Sequence, residues 1–153
     1  MIKNAAMTDF EAIRDITRRT INEIYPRYYP KGAVDFFLKH HSDESIRRDI
    51  SQGLVYLLTD SEGIPEGTVT VKGNEILRLF VLPEAQGKGL GRQLLDFAEA
   101  AVFERYDEAV IDSSLAAKPI YLRRGYKETE YNILPADNGD FLCFDIMKKP
   151  KGL

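Results

Sequence analysis

The sequence predicts an α+β fold, a mixed α/β arrangement with a mostly antiparallel central sheet flanked by helices. Three observations carry this. Residues 54–82 hold three strand-like runs separated by short polar turns, the pattern of an antiparallel meander. On either side of them, apolar residues recur at helical spacing. A glycine-rich loop at residues 86–92 joins the last strand of the meander to a long helix. At 153 residues the chain is expected to form one domain over residues 1–153, burying about two thirds of the surface its unfolded chain would expose.

Residues 1–6 are short and mixed and predict a first strand. Thr8 and Glu11 have capping-box spacing, in which hydroxyl and carboxylate satisfy free N–H groups at a helix start. The helix that follows puts Ile13, Ile16 and Ile24 near one face, with Arg14, Arg18 and Arg19 outside. Pro26 and Pro30 turn the chain. A second helix over residues 31–39 carries Val34, Phe37 and Leu38 at helical spacing. Ser42 caps a third, running to about Ser51 and stopped by Gly53. His40 and His41, just before that cap, are expected at a helix end or on the surface.

Residues 54–58 form a strand, 59–63 a turn, 68–71 an alternating half-exposed strand and 72–74 a second turn. Residues 75–82 are apolar but for Arg78 and Glu75, which predicts a strand buried on both faces. Pro83 ends it, having no N–H for the ladder. A helix covers roughly residues 88–105, a short buried strand 109–111, and a helix 114–124 closed by Gly125. Strands over 126–134 and 140–147, joined by a turn at 135–139, complete the order. Cys143 lies among apolar neighbours on the last strand and is expected to be an inert packing group.

Composition narrows the function. A net charge of −3 provides no basic field for nucleic acid. No apolar run approaches the ~20 residues of a membrane span, and the N-terminal residues lack a signal-peptide core. A single cysteine forms no internal disulfide. The expectation is a cytoplasmic protein with neither a nucleic-acid nor a membrane partner. No His/Cys cluster has zinc spacing, so no metal is expected.

Strand, glycine loop and helix in series point bare N–H groups at a phosphate. The dinucleotide fingerprint G-x-G-x-x-G fails at Arg92, and the P-loop fails because Lys88 is followed by Gly89. What remains, Gln86-x-x-Gly89-x-Gly91, resembles the acyl-CoA pyrophosphate loop of the GCN5-related N-acetyltransferase (GNAT) superfamily. A second segment carries the same resemblance. Ala117, Ile120, Tyr121, Gly125 and Tyr126 follow the superfamily's Asn-x-x-Ala-x-x-apolar-Tyr-x-x-x-Gly-Phe, with Ser114 in place of the Asn. Val81 and Pro83 also fall in the superfamily's usual places, and the matched segments span residues 75–126.

The resemblance implies the GNAT acyl-CoA N-acyltransferase fold, its sheet splayed at the coenzyme A site. It implies that the backbone of Leu79, Phe80 and Val81 pairs with the pantetheine arm. N–H groups from Gly87 through Lys88, Gly89, Leu90 and Gly91 to Arg92 would hold the pyrophosphate, with Gln86 opening the loop. Ser114 and Ala117 would line the arm, although serine is shorter than the superfamily's Asn. Tyr121 lies where the general-acid tyrosine lies. An alkylamine with a pKa of about 10.4 needs a base at neutral pH. The resemblance puts Glu75 first as that base, since it precedes Gln86 by the interval of the catalytic glutamate in the histone-acetylating branch. Other branches draw a base from the strand after the long helix, where Glu108 and Asp112 stand.

The implied activity is transfer of acetyl from acetyl-CoA to an amine by direct attack in a ternary complex. The alternatives are a non-catalytic acyl-CoA-binding or regulatory domain, and an acyltransferase with an O-acceptor or another acyl donor. The acceptor, a small amine or a peptide, is not selected by the sequence. Tyr25, Tyr28, Tyr29, Phe36 and Phe37 either line a pocket for it or pack helices onto the sheet. The superfamily often dimerises, which leaves a homodimer open.

Overall fold

The meander expected from the polar turns forms, with β2 (Val55–Thr59), β3 (Pro65–Lys72) and β4 (Glu75–Val81) paired antiparallel in chain order. β1 (Ile2–Asn4) adds to β2. On the other side β5 (Glu108–Ser113), β7 (Phe141–Pro150) and β6 (Lys127–Pro135) complete one seven-stranded sheet of order β1-β2-β3-β4-β5-β7-β6. The computed structural model describes residues 1–152. Helices α1 (Phe10–Ile24) and α4 (Leu90–Phe103) pack on β3 and β4 through fully buried Ile13, Ile16, Ile21, Leu94, Leu95 and Ala98. Between α1 and β2 lie α2 (Lys31–His40) and α3 (Asp43–Ser51). The short α5 (Lys118–Arg123) follows β5.

Two features of β4 create the cleft. β4 and β5 pair in parallel only at Glu75–Val110 and Ile76–Ile111, and beyond these the strands part. Close to that point β4 carries a bulge. Thr68 faces Phe80 and Thr70 faces Leu77, so Arg78 and Leu79 together oppose Val69. Arg78 adopts φ +48°, a left-handed conformation rare for a side-chain-bearing residue. Such bulges bend a strand and re-aim a side chain. The expected burial of this strand on both faces is therefore corrected. Glu75 is exposed and Leu77 and Leu79 are half-buried along the cleft, while the charged Arg78 is buried.

Several helix ends also differ from the sequence reading. A 3-10 turn at Met7–Asp9 precedes α1, and Asp9 Oδ2 accepts the Ala6 N–H at 2.9 Å. The chain enters this turn at Ala6, so Asp9 takes the place expected of Glu11, which pairs instead with Arg14 on the surface. The Ser42 cap forms, its Oγ accepting the Ser45 N–H at 3.2 Å. α4 starts at Leu90 because Gly89, at φ +79°, is left-handed and non-helical. Residues 114–117 form a turn in which Ser114 Oγ accepts the Ala117 N–H at 3.3 Å. Pro119 thereby falls in the first turn of α5, where its missing N–H is tolerated.

Three ties hold the cleft walls. The Tyr29 hydroxyl accepts the Leu115 N–H at 2.6 Å and joins the α1–α2 connection to the β5–α5 loop. Gly32 N–H donates to Asp140 Oδ2 at 2.8 Å, seating α2 on the β6–β7 turn. A Cβ at Gly32 would lie 1.9 Å from the Asp137 carbonyl oxygen, so only glycine permits this approach. Finally, Glu99 on α4 accepts from Arg124 Nε at 2.8 Å and from Lys149 Nζ at 3.1 Å, fixing the end of α5 to β7. Desolvation pushes the Glu99 carboxyl up, but the bonds from Arg124 and Lys149 outweigh it and hold the group below its usual range.

Candidate active site

Where β4 and β5 part, a cleft of about 870 Å³ opens. Leu79, Phe80 and Val81 line it from β4, and Gly87, Gly89, Leu90, Gly91 and Arg92 line it from the loop and the start of α4. Ser114, Ala117 and Tyr121 contribute from the segment after β5. On the α2 side stand Tyr25, Phe36, Phe37, His40 and His41. A smaller polar cavity of about 400 Å³, the annex, adjoins it. His40, His41, Leu77, Arg78 and Asp112 line both, whereas Arg48, Asp49, Lys72 and Glu75 line the annex alone.

The loop requires glycine for its conformation, not for space. Gly87 and Gly89 have φ of +80° and +79°, and no heavy atom lies within 4 Å of where a Cβ would stand. The first N–H groups of α4 have no partner within the helix, and the helix dipole adds a partial positive charge there. Lys88 is exposed and lies outside the cleft lining. Gln86 has a bracing contact, its Nε2 donating to the Val81 carbonyl at 3.0 Å. Thr20 Oγ1 donates to the same carbonyl at 3.3 Å.

Tyr121 is 6% exposed, and desolvation pushes its hydroxyl up to about 12. Its ring lies 5.7 Å from that of Tyr126. Asp112, on β5, has its carboxyl pushed above the usual range, first by desolvation and then by the charge of Glu75. Glu108 lines neither cavity and pairs with Lys148 at 3.3 Å. Cys143 is half-buried and lines neither.

The buried polar residues of this region are the ones sequence reasoning missed. Arg78 Nη2 meets Asp49 Oδ2 at 3.0 Å, with side chains 4% and 5% exposed, and its Nη1 meets Thr70 Oγ1 at 3.0 Å. His41 ends α2, as expected of a helix-end residue, but its Nδ1 is buried rather than at the surface. Its ring packs edge-on to Phe80 at 5.6 Å. Desolvation, then the charges of Arg78 and His40, push it down to about 3, so it stays neutral at ordinary pH.

Comparison with known proteins places this arrangement. The acetyltransferase (GNAT) domain family matches residues 24–138. The chain belongs to the GNAT family. An uncharacterised N-acetyltransferase of Chlorobaculum tepidum is 30% identical over 139 residues, covering 88% of this chain and 79% of the relative. Among solved structures, a GCN5-related N-acetyltransferase of Rhodopseudomonas palustris superposes with a TM-score of 0.88 at 22% identity, over 98% of this chain and 94% of that one. The PaiA N-acetyltransferase of Thermoplasma acidophilum, solved with coenzyme A, gives 0.75 at 21% identity over 98% of each chain. The ribosomal-protein-S18-alanine N-acetyltransferase of Escherichia coli gives 0.71 at 22% identity, over 100% of this chain and 94% of that one. The GNAT fold expected from the two motifs is thus the fold observed. Among the described residues, no group of three or more His, Cys, Asp or Glu is placed to hold a metal ion. Among the same residues, no helix is long and apolar enough to cross a membrane.

Proposed function

We propose that this GNAT protein transfers the acetyl group of acetyl-CoA to an amine by direct attack in a ternary complex. One observation carries the reading: the β4–β5 gap joins a backbone-rich loop, a buried tyrosine and a carboxylate of raised pKa in one cleft. The pantetheine arm adds to the free edge of β4 at Leu79, Phe80 and Val81, a form of strand addition. The N–H groups of Gly87 through Arg92 and the Arg92 side chain hold the pyrophosphate. Ser114 and Ala117 line the arm, and Ser114 keeps its hydroxyl on the Ala117 N–H rather than reaching out as an Asn would.

Asp112 suits the base better than Glu75. Both carboxylates are exposed as residues, but only Asp112 lines the acetyl cleft, and its raised pKa improves it as an acceptor of an ammonium proton. Glu75 supplies the neighbouring charge that raises it. As the amine nitrogen bonds to the acetyl carbon, its proton passes to Asp112 and the carbon–sulfur bond breaks. Tyr121 stays protonated at neutral pH and donates a hydrogen bond to the departing sulfur. With a thiol near 8.5, full proton transfer from a phenol at about 12 is uphill by roughly 5 kcal/mol, so the hydrogen bond is the contribution that counts.

Release of free thiol from acetyl-CoA across a panel of amines tests the reading. The expected result is amine-dependent release. Binding of acetyl-CoA without release for any amine would establish a non-catalytic acyl-CoA-binding protein instead. In Asp112→Asn the acidic limb of the pH–rate profile should vanish, and a limb that survives there but vanishes in Glu75→Gln would return the base to Glu75.

A further inference from the structure

The annex has a chemistry that acetyl transfer alone does not use. Among the described residues, five buried side-chain nitrogen or oxygen atoms lack a hydrogen-bond partner, and three of them, Arg78 Nε, Asp49 Oδ1 and His41 Nδ1, belong to residues lining the annex. Each such atom costs about 1–3 kcal/mol when left unpaired. Three around one cavity mark a wall whose donors and acceptor are not satisfied within the protein, which favours a polar occupant over an apolar one.

The annex is also dipolar. Arg48 Nε lies 3.7 Å from Asp49 Oδ1 and Arg78 Nη2 lies 3.0 Å from Oδ2, so two guanidinium groups share one carboxylate and leave an excess positive charge. Toward the cleft, Glu75 and Asp112 carry negative charge, offset in part by Lys72, which faces Glu75 across the β3–β4 ladder. Neighbouring groups register both fields. After desolvation, Arg78 is the next cause that lowers His41, and Glu75 the next that raises Asp112. The bulge at φ +48° is what turns the Arg78 side chain inward to Asp49.

We infer that the acceptor is a small primary amine that carries a carboxylate, its nitrogen held at Asp112 and its carboxylate at Arg48 and Arg78. This rests on the acetyl-transfer reading above. The ammonium meets the negative end, beside the cleft that Asp112 shares. The carboxylate pairs with the largely exposed Arg48 guanidinium and is drawn by the charge of Arg78 behind it, whose buried Nε–H it reaches only when that side chain shifts toward the annex. Neutral His41 adds a hydrogen bond without a charge. A polyamine has no group for the positive end, and a cavity of about 400 Å³ suits a small molecule rather than a protein segment.

The test uses matched probes: the common L-amino acids, each with the amine that lacks only its carboxylate, together with spermidine and a lysine-containing peptide. Thiol release from acetyl-CoA gives kcat/KM for each. The expected result is at least one pair in which the carboxylate-bearing member is favoured by about tenfold or more. That ratio should fall toward unity in Arg48→Met, whose side chain is largely exposed and whose loss spares the core. It should fall further in the paired variant Asp49→Leu/Arg78→Met, which removes both buried charges together and leaves neither unpaired. The assignment is overturned if every pair stays within about threefold, if spermidine or the peptide is the best acceptor, if no carboxylate-bearing probe releases thiol, or if the preference survives both variants. Acetyl-CoA binding, followed by thermal shift, separates the two readings. Retained binding with the wrong preference removes only the acceptor assignment, whereas no binding by the unaltered protein removes the transferase reading and the assignment with it.

Discussion

The glycine loop at residues 86–92 offers a ligand the N–H groups of consecutive residues, whereas the annex offers side chains drawn from α2, α3, β3, β4 and β5. The two therefore respond differently to substitution. In the loop a side chain can be added into open space, and what it disturbs is φ. In the annex Asp49 and Arg78 are part of the core, so a change at either is also a change in stability, whereas Arg48 is largely exposed. Backbone recognition is local and separable from folding, while recognition by buried charges is neither.

The largest expected effect tests the second half of that contrast. Arg78→Leu leaves Asp49 buried without its guanidinium partner and should lower stability by about 3–5 kcal/mol in a denaturant melt. A loss below about 1 kcal/mol would mean the annex is as separable as the loop. Next, Tyr121→Phe should lower turnover by about a hundredfold, near 2.7 kcal/mol, with the acetyl-CoA KM little altered. An unchanged turnover would remove Tyr121 from the chemistry. Gly89→Ala carries the left-handed penalty of about 1–2 kcal/mol; a surface loop that relaxes out of that conformation escapes it in the melt and repays it on binding, expected as roughly tenfold weaker acetyl-CoA binding with the melt little moved. A large fall in melting temperature would show that the loop is coupled to the core after all.

The smallest effect concerns pH. Because the folded pKa of Asp112 is raised, its ionisation opposes folding. The contribution to stability is fully present below the unfolded value near 3.9 and is lost as pH rises through the folded value. Asp112→Asn should thus melt slightly above the unaltered protein at neutral pH, and the difference should close on acidification. A gap that widens at low pH would reverse the assigned direction.

The same contrast explains what the sequence revealed. A loop read by its backbone needs glycines at fixed spacing within one short segment, so Gly87, Gly89 and Gly91 were legible, and Tyr121 followed from a second local motif. The meander was legible because polar turns punctuate it. The annex was not. His41 and Asp49 sit on different helical segments, Arg78 lies 29 residues beyond Asp49, and each alone suggests a helix end, a solvated face or an interruption of a strand. Only the β4 bulge, which has no glycine to announce it, brings them together.

The contact between Gly32 and the β6–β7 turn has a mechanical consequence. With Asp140 bonded to the Gly32 N–H, Lys39 paired to Asp137 at 2.7 Å, and no room for a single methyl between, helix and hairpin are geared to each other. The helix cannot swing outward by itself to admit a bulkier acceptor. Leu134 and Leu142 of that hairpin line the cleft, and among the described residues its outer strand has no further strand beside it, so on the acetyl-transfer reading a change at Asp137 or Asp140 would retune which acceptors can enter.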